Sequence, residues 1–154
     1  MEPEELLAAG RDLVQRASPA TAGLWPRATA LLARQALEEG LRRFWRGREP
    51  GLAEVQNLRC QLVCFTSLCD RTLGDRVHQA WLALSHACHH HPYELGPTAD
   101  ELQGWMETVE ALLARARTGP APGAAPERHE TAADAGRPRG ASLNRPRPTP
   151  RGFG

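Results

Sequence analysis

The side chains with the greatest capacity for chemistry are concentrated in one short segment. Residues 85–95 hold four of the six histidines, one of the four cysteines and the only tyrosine of this 154-residue chain. Imidazole has an ordinary pKa of about 6.5, so it can exchange a proton near neutral pH, bind a metal ion or, when protonated, bind phosphate. This histidine segment, residues 85–95, is therefore the first candidate for a functional site.

Residue types alone allow three interpretations of the histidine segment. Histidines near the end of a helix interact favourably with its dipole, which is a purely structural role. Cys60 and Cys64 are four residues apart, as are His86 and His90, and two thiolates with two imidazoles can bind zinc. The chain has no Cys-x-x-Cys pair, so we expect no metal and no other cofactor. The third interpretation is a nucleophilic Cys88 activated by imidazole, but apolar surroundings would keep that thiol protonated.

The elements that position these residues are predicted to be helices. Apolar residues recur at helical spacing up to about residue 118, and no segment shows the two-residue alternation of a strand. The pattern predicts an all-α bundle of four to five helices. The first is bounded by Pro3 and Ser18, the second by Trp25 and Gly47, the third by Leu52 and Gly74, the fourth by Asp75 and Pro92, and the fifth by Thr98 and Gly119.

Capping residues and an apolar stripe define the last two helices. Asp75 is the predicted N-cap of the fourth helix, and Thr98 with Glu101 forms the capping box of the fifth. The predicted core-facing stripe of the fourth helix consists of Val77, Trp81, Leu84 and Cys88. By the same spacing, His91 lies close to this stripe and His86 lies nearly opposite it.

The composition changes at Gly119. Residues 119–154 are rich in Pro, Gly and Ala and carry six arginines against three acidic residues. This composition predicts a disordered tail, which is either a solubilising appendage or a segment that binds RNA, DNA or an acidic partner through charge. We therefore expect a bundle over residues 1–118 and a tail over residues 119–154. No apolar run is long enough to span a bilayer and the N-terminus is acidic, so we expect a cytoplasmic protein without membrane contact.

Two helices and the histidine segment resemble the HEPN superfamily of small prokaryotic all-α domains. The resemblance rests on Leu-Leu-Ala-Ala-Gly-Arg-Asp-Leu at residues 6–13 and Ala-Arg-Gln-Ala-Leu-Glu-Glu-Gly-Leu at residues 33–41. The HEPN signature is Arg, four to six residues, His, one residue and Tyr. His91 and Tyr93 match its second half, and His86 stands where the arginine would be. A competing register, Arg71 with His78, straddles the predicted break at Gly74 and lacks the tyrosine.

The resemblance implies a site made of His86, His91 and Tyr93 in a homodimer. HEPN ribonucleases are understood to cleave RNA without metal, with the histidine handling the 2′-hydroxyl proton and the arginine stabilising the phosphate. Histidine lacks the permanent charge and planar fork of arginine, so we expect an RNA-binding or partner-binding domain with weakened or lost ribonuclease activity. An antitoxin-like protein is the partner that the resemblance suggests. An active ribonuclease using His86, and an interaction module unrelated to nucleic acid, remain alternatives.

Overall fold

The computed structural model describes residues 1–21, 23–89 and 95–118. Over these residues the chain forms six α-helices, a single 3-10 turn at Pro19–Thr21 and no strand, which confirms the predicted all-α bundle. No helix in these ranges is long and apolar enough to cross a membrane. The predicted tail lies outside the described residues. The helices are α1 Pro3–Gln15, α2 Trp25–Arg46, α3 Pro50–Ala53, α4 Leu58–Leu68, α5 Arg71–Cys88 and α6 Ala99–Arg117.

Helix α2 is the centre of the bundle and contacts each of the other five helices. Its inner face alternates small residues, which allow close approach, with large residues that fill the core. Phe44 is fully buried, and its ring meets the rings of Trp45 and Phe65 edge-on at 5.0 and 4.8 Å between centroids. Such edge-to-face pairs are favourable because the positive ring edge meets the negative face. The fully buried residues of α2 include Ala30, Ala33, Ala36, Leu37, Leu41 and Phe44.

An ion-pair network joins α1, α2 and α6 at one end of the bundle. Arg43 of α2 donates to both carboxylate oxygens of Glu4 in α1, at 2.8 and 3.1 Å, and also to Glu2. Arg117 of α6 lies 3.5 Å from the same Glu4 carboxylate. The hydrogen bond from Arg43 lowers the pKa of Glu4, so this carboxylate is ionised and holds the three helices together near neutral pH.

The predicted third helix is two helices in the structure. Helix α3 ends at Ala53, and α4 begins at Leu58 after the N-cap Asn57, whose side chain accepts a hydrogen bond from the backbone N–H of Arg59. Gln61 is buried and donates from Nε2 to the carbonyl of Val55 at 2.8 Å, which holds the turn between the helices in place. The predicted continuous helix through residues 54–57 is therefore wrong.

The predicted break at Gly74 and cap at Asp75 are also wrong. Helix α5 begins at Arg71, and its N-cap is Asp70, which accepts a hydrogen bond from the backbone N–H of Leu73 at 2.9 Å. Gly74 is a buried residue inside α5. A Cβ atom on it would lie 2.6 Å from the Cα of Thr66 in α4, so the glycine allows two helices to cross closely instead of ending one.

Candidate functional site

The end of α5 brings two histidines to the surface. Val77 and Leu84 are buried, and Trp81 and Cys88 are half-buried, as the predicted stripe requires. His86 lies in the last turn on the exposed side of the helix, and His89, the C-cap residue, is also exposed. The helical spacing therefore predicted the side on which His86 lies.

Both histidines line a cavity of about 610 Å³, where residues from the start of α2, the end of α5 and the start of α6 meet. The segment before α6 forms another part of its wall, with Gly96 packed beside Pro26 at the start of α2. This volume is in the range of small-ligand pockets. We call this space the histidine cavity; its lining includes Arg27, Gln79, His86, His89, Glu101 and Trp105.

Arg27 supplies a positive charge that sequence reasoning missed. It is half-buried in the first turn of α2, and it forms no ion pair within the part of the chain that the structure describes. A guanidinium keeps its charge at any physiological pH and matches phosphate or carboxylate with two parallel hydrogen bonds. The cavity therefore combines one permanent cation with two imidazoles.

Glu101 is an opposing charge in the same cavity. The predicted capping box is confirmed: Thr98 donates to the Glu101 carboxylate from its backbone N–H at 2.8 Å and from its hydroxyl at 2.9 Å. These hydrogen bonds lower the pKa of Glu101, so the group is negative at neutral pH. An anionic ligand in the histidine cavity would therefore be attracted by Arg27 and repelled by Glu101.

Of the three residues that the HEPN-like signature matches, the structure describes only His86. His91 and Tyr93 lie outside the described residues, so their placement beside His86 stays a prediction. The break that separated Arg71 from His78 does not exist, because both residues belong to α5. They are two helical turns apart, about 10 Å along the axis, and neither lines the histidine cavity.

Among the described residues, the cysteines show neither an activated nucleophile nor a metal site. Burial raises the pKa of the Cys88 thiol, although the nearby Arg34 guanidinium opposes this effect, so the thiol is protonated near neutral pH. Cys60 and Cys64 are neighbours on α4, whereas His86 lines the histidine cavity. Among the described residues, no three His, Cys, Asp or Glu side chains come together to hold a metal ion. His90 lies outside those residues.

Compared with known proteins, the chain matches no family model, no curated protein and no solved structure. The HEPN resemblance therefore rests on the sequence patterns alone.

Proposed function

We propose that the protein binds RNA through the histidine cavity and cleaves it weakly or not at all. The observation that supports this proposal is the presence of Arg27, His86 and His89 in one cavity. His91, to which the HEPN resemblance assigns the 2′-hydroxyl proton, and Tyr93, which completes the signature, follow His89 within four positions of the chain.

Arg27 would supply the positive charge that this chain lacks at the arginine position of the signature, but it does so from another helix. In the signature the arginine precedes the histidine by five to seven positions of the chain, whereas Arg27 belongs to α2 and the histidine segment follows from α5. A guanidinium anywhere in the cavity can hold a phosphate, because charge neutralisation needs only proximity. Cleavage also needs the guanidinium placed against the reacting phosphate while the general base contacts the 2′-hydroxyl. Binding is therefore expected to be retained and cleavage weakened.

Replacing Arg27 tests the binding. We expect Arg27→Ala to weaken the affinity for a fluorescent oligoribonucleotide about tenfold and to lower the slope of log affinity against log salt by about one, because one phosphate contact is lost. The matched control is Arg16→Ala, which removes the same charge from a side chain that is 78 % exposed and paired with Asp12 on α1. Anisotropy titrations at several salt concentrations measure both variants. Equal effects of the two substitutions would mean that the histidine cavity is not the site.

Replacing His86 tests the catalytic half of the proposal. His86→Arg puts a permanent charge at the signature position, so we expect it to raise metal-free cleavage of a structured RNA in the presence of EDTA. Adding His91→Ala should remove the gain, because no base is then left to accept the 2′-hydroxyl proton. If folded His86→Arg protein cleaves no better than the natural protein at any pH between about 5 and 8.5, the catalytic role assigned to this position is wrong.

Assembly belongs to the same proposal. The resemblance implies a homodimer in which two sites meet, and an antitoxin-like protein as a further partner. Light scattering at high micromolar concentration measures the dimer directly. A strict monomer would remove the composite site on which cleavage depends, while leaving RNA binding by one cavity possible.

A further inference from the structure

We propose that the RNA bound by this protein is single-stranded, that one base stacks on Trp105, and that the strand continues along the groove between α5 and α6. This inference rests on the proposed RNA-binding function and assigns a path and a specificity-determining residue to it. Three observations support it: the position of Trp105, the continuity of the groove with the histidine cavity, and the distribution of charge along both.

Trp105 stands between two open spaces. It lies on α6 one turn after Glu101, is half-buried, and lines both the histidine cavity and a second space of about 480 Å³ between α5 and α6. Most of the other large residues on its face of α6, such as Leu102 and Val109, are fully buried. An indole that is only half-buried and lines two open spaces offers a surface on which a base can stack.

The second space extends the histidine cavity. Gln79 and Ala83 of α5 line both spaces together with Trp105, so the two form one track along the bundle surface. We call the second space the α5–α6 groove; its lining includes Asp75, Arg76, Gln79, Ala83, Trp105 and Thr108.

The track has one arginine at each end. Arg27 lies at the histidine cavity end, and Arg76, which donates to the hydroxyl of Thr108 at 3.4 Å, lies at the far end of the α5–α6 groove. Each cation has a carboxylate on the same track, Glu101 and Asp75 respectively. The net charge of the track is therefore small, and affinity must depend also on contacts with the bases. In a duplex the base faces are covered by their neighbours, so only an unpaired strand offers a base to Trp105.

Binding of two RNA forms by the full chain tests the inference. The probes are a labelled oligouridine of about ten nucleotides and a blunt duplex of the same length, followed by anisotropy. We expect the single strand to bind at least tenfold more tightly than the duplex. Trp105→Leu should weaken single-strand binding about tenfold with little effect on the duplex, and Trp105→Phe should retain most of the affinity because a stacking face remains. RNA should quench the indole fluorescence of the natural protein, and Trp105→Phe should lose that quenching.

The possible failures are distinguishable. If single strand and duplex bind equally and both depend on Arg27, the RNA-binding proposal holds and the single-strand inference is wrong. If Trp105→Leu is folded by circular dichroism and binds normally, the stacking role is wrong. If Trp105→Leu does not fold, the fluorescence of Trp105→Phe decides: RNA quenching as strong as in the natural protein would show that no base stacks on Trp105. If neither RNA binds at all, the proposed function itself fails.

Discussion

At the scale of single residues, Glu101 both caps a helix and, under the proposed RNA binding, opposes the ligand. Its carboxylate accepts two hydrogen bonds from Thr98 and so begins α6. The same carboxylate lines the histidine cavity, where its negative charge repels phosphate. Glutamine at position 101 would keep the capping box of α6 and remove the negative charge, because glutamine also accepts these hydrogen bonds.

Glu101→Gln is therefore predicted to strengthen RNA binding, by about twofold to fivefold at low salt, because it removes repulsion from the cavity. The unfolding midpoint should fall only slightly. Asp100→Asn is the control, since it removes the same charge from the neighbouring exposed position, which does not line the cavity. Anisotropy titration and thermal unfolding compare the two variants. Weaker RNA binding by Glu101→Gln would contradict an anionic ligand at this site.

The residues of the site differ in how well the sequence predicts them. The exposed position of His86 follows from helical spacing, because it is decided by the helix to which the residue belongs. Arg27 does not follow, because it precedes His86 by 59 positions and only the packing of α2 beside α5 brings both into one cavity. Trp105 belongs to the predicted apolar face of α6, but the spacing does not show that its ring stays half-exposed.

At the scale of elements, helix type was predicted correctly and two helix boundaries were not. The sequence offers two possible starts for α5, because an aspartate that could cap the helix follows Cys69 and another follows Gly74. Helices end more often at glycine, so the local pattern favours the start at Asp75. The choice is decided by Thr66, which packs against Gly74 from the neighbouring helix. That contact is tertiary, so no local pattern contains it. In the third predicted helix, the apolar spacing continues across the break at residues 54–57, and only the Asn57 cap marks it.

Alanine substitutions at Gly74 and, as the control, at Gly104 test the close crossing of α4 and α5. Gly74→Ala should destabilise the fold by about 1–3 kcal/mol, because the new Cβ meets the Thr66 backbone and the helices must move apart. Gly104 is an exposed residue of α6 whose added Cβ would meet nothing within 4 Å. Gly104→Ala should therefore stabilise by about 0.5–1 kcal/mol through helix propensity alone. Urea unfolding measures both, and a stabilised Gly74→Ala protein would show that α4 and α5 do not cross as described.

At the scale of the whole molecule, the Glu4 network makes stability depend on pH. The pKa of Glu4 is lower in the folded state than its ordinary value of about 4.3, chiefly because Arg43 donates to the ionised carboxylate. A lowered pKa means that the folded state favours the deprotonated form. The stabilisation is therefore present above about pH 4.3 and is lost as the pH falls through the folded-state pKa.

Glu4→Gln is predicted to lower the free energy of unfolding by about 0.5–1 kcal/mol at pH 7, a modest value because the Glu4 side chain is 39 % exposed. The difference from the natural protein should shrink as the pH falls below about 4.3 and then vanish. Glu54→Gln is the control, since Glu54 is exposed and has no ion pair within the described ranges. Urea unfolding at a series of pH values tests this, and a difference independent of pH would rule out the Glu4 carboxylate as its source.

The central position of α2 also determines how the native protein opens. Because α2 contacts every other helix, we expect its inner amides to exchange with deuterium only when the whole bundle unfolds. Helix α3 buries no residue and α4 buries only Gln61, Leu62 and Phe65, so these helices should exchange earlier, through local openings. Neither α3 nor α4 contributes to the described lining of the histidine cavity, and Arg27 belongs to α2. We therefore expect such openings to leave the lining of the histidine cavity, the proposed RNA-binding surface, in place while part of the molecule is unfolded.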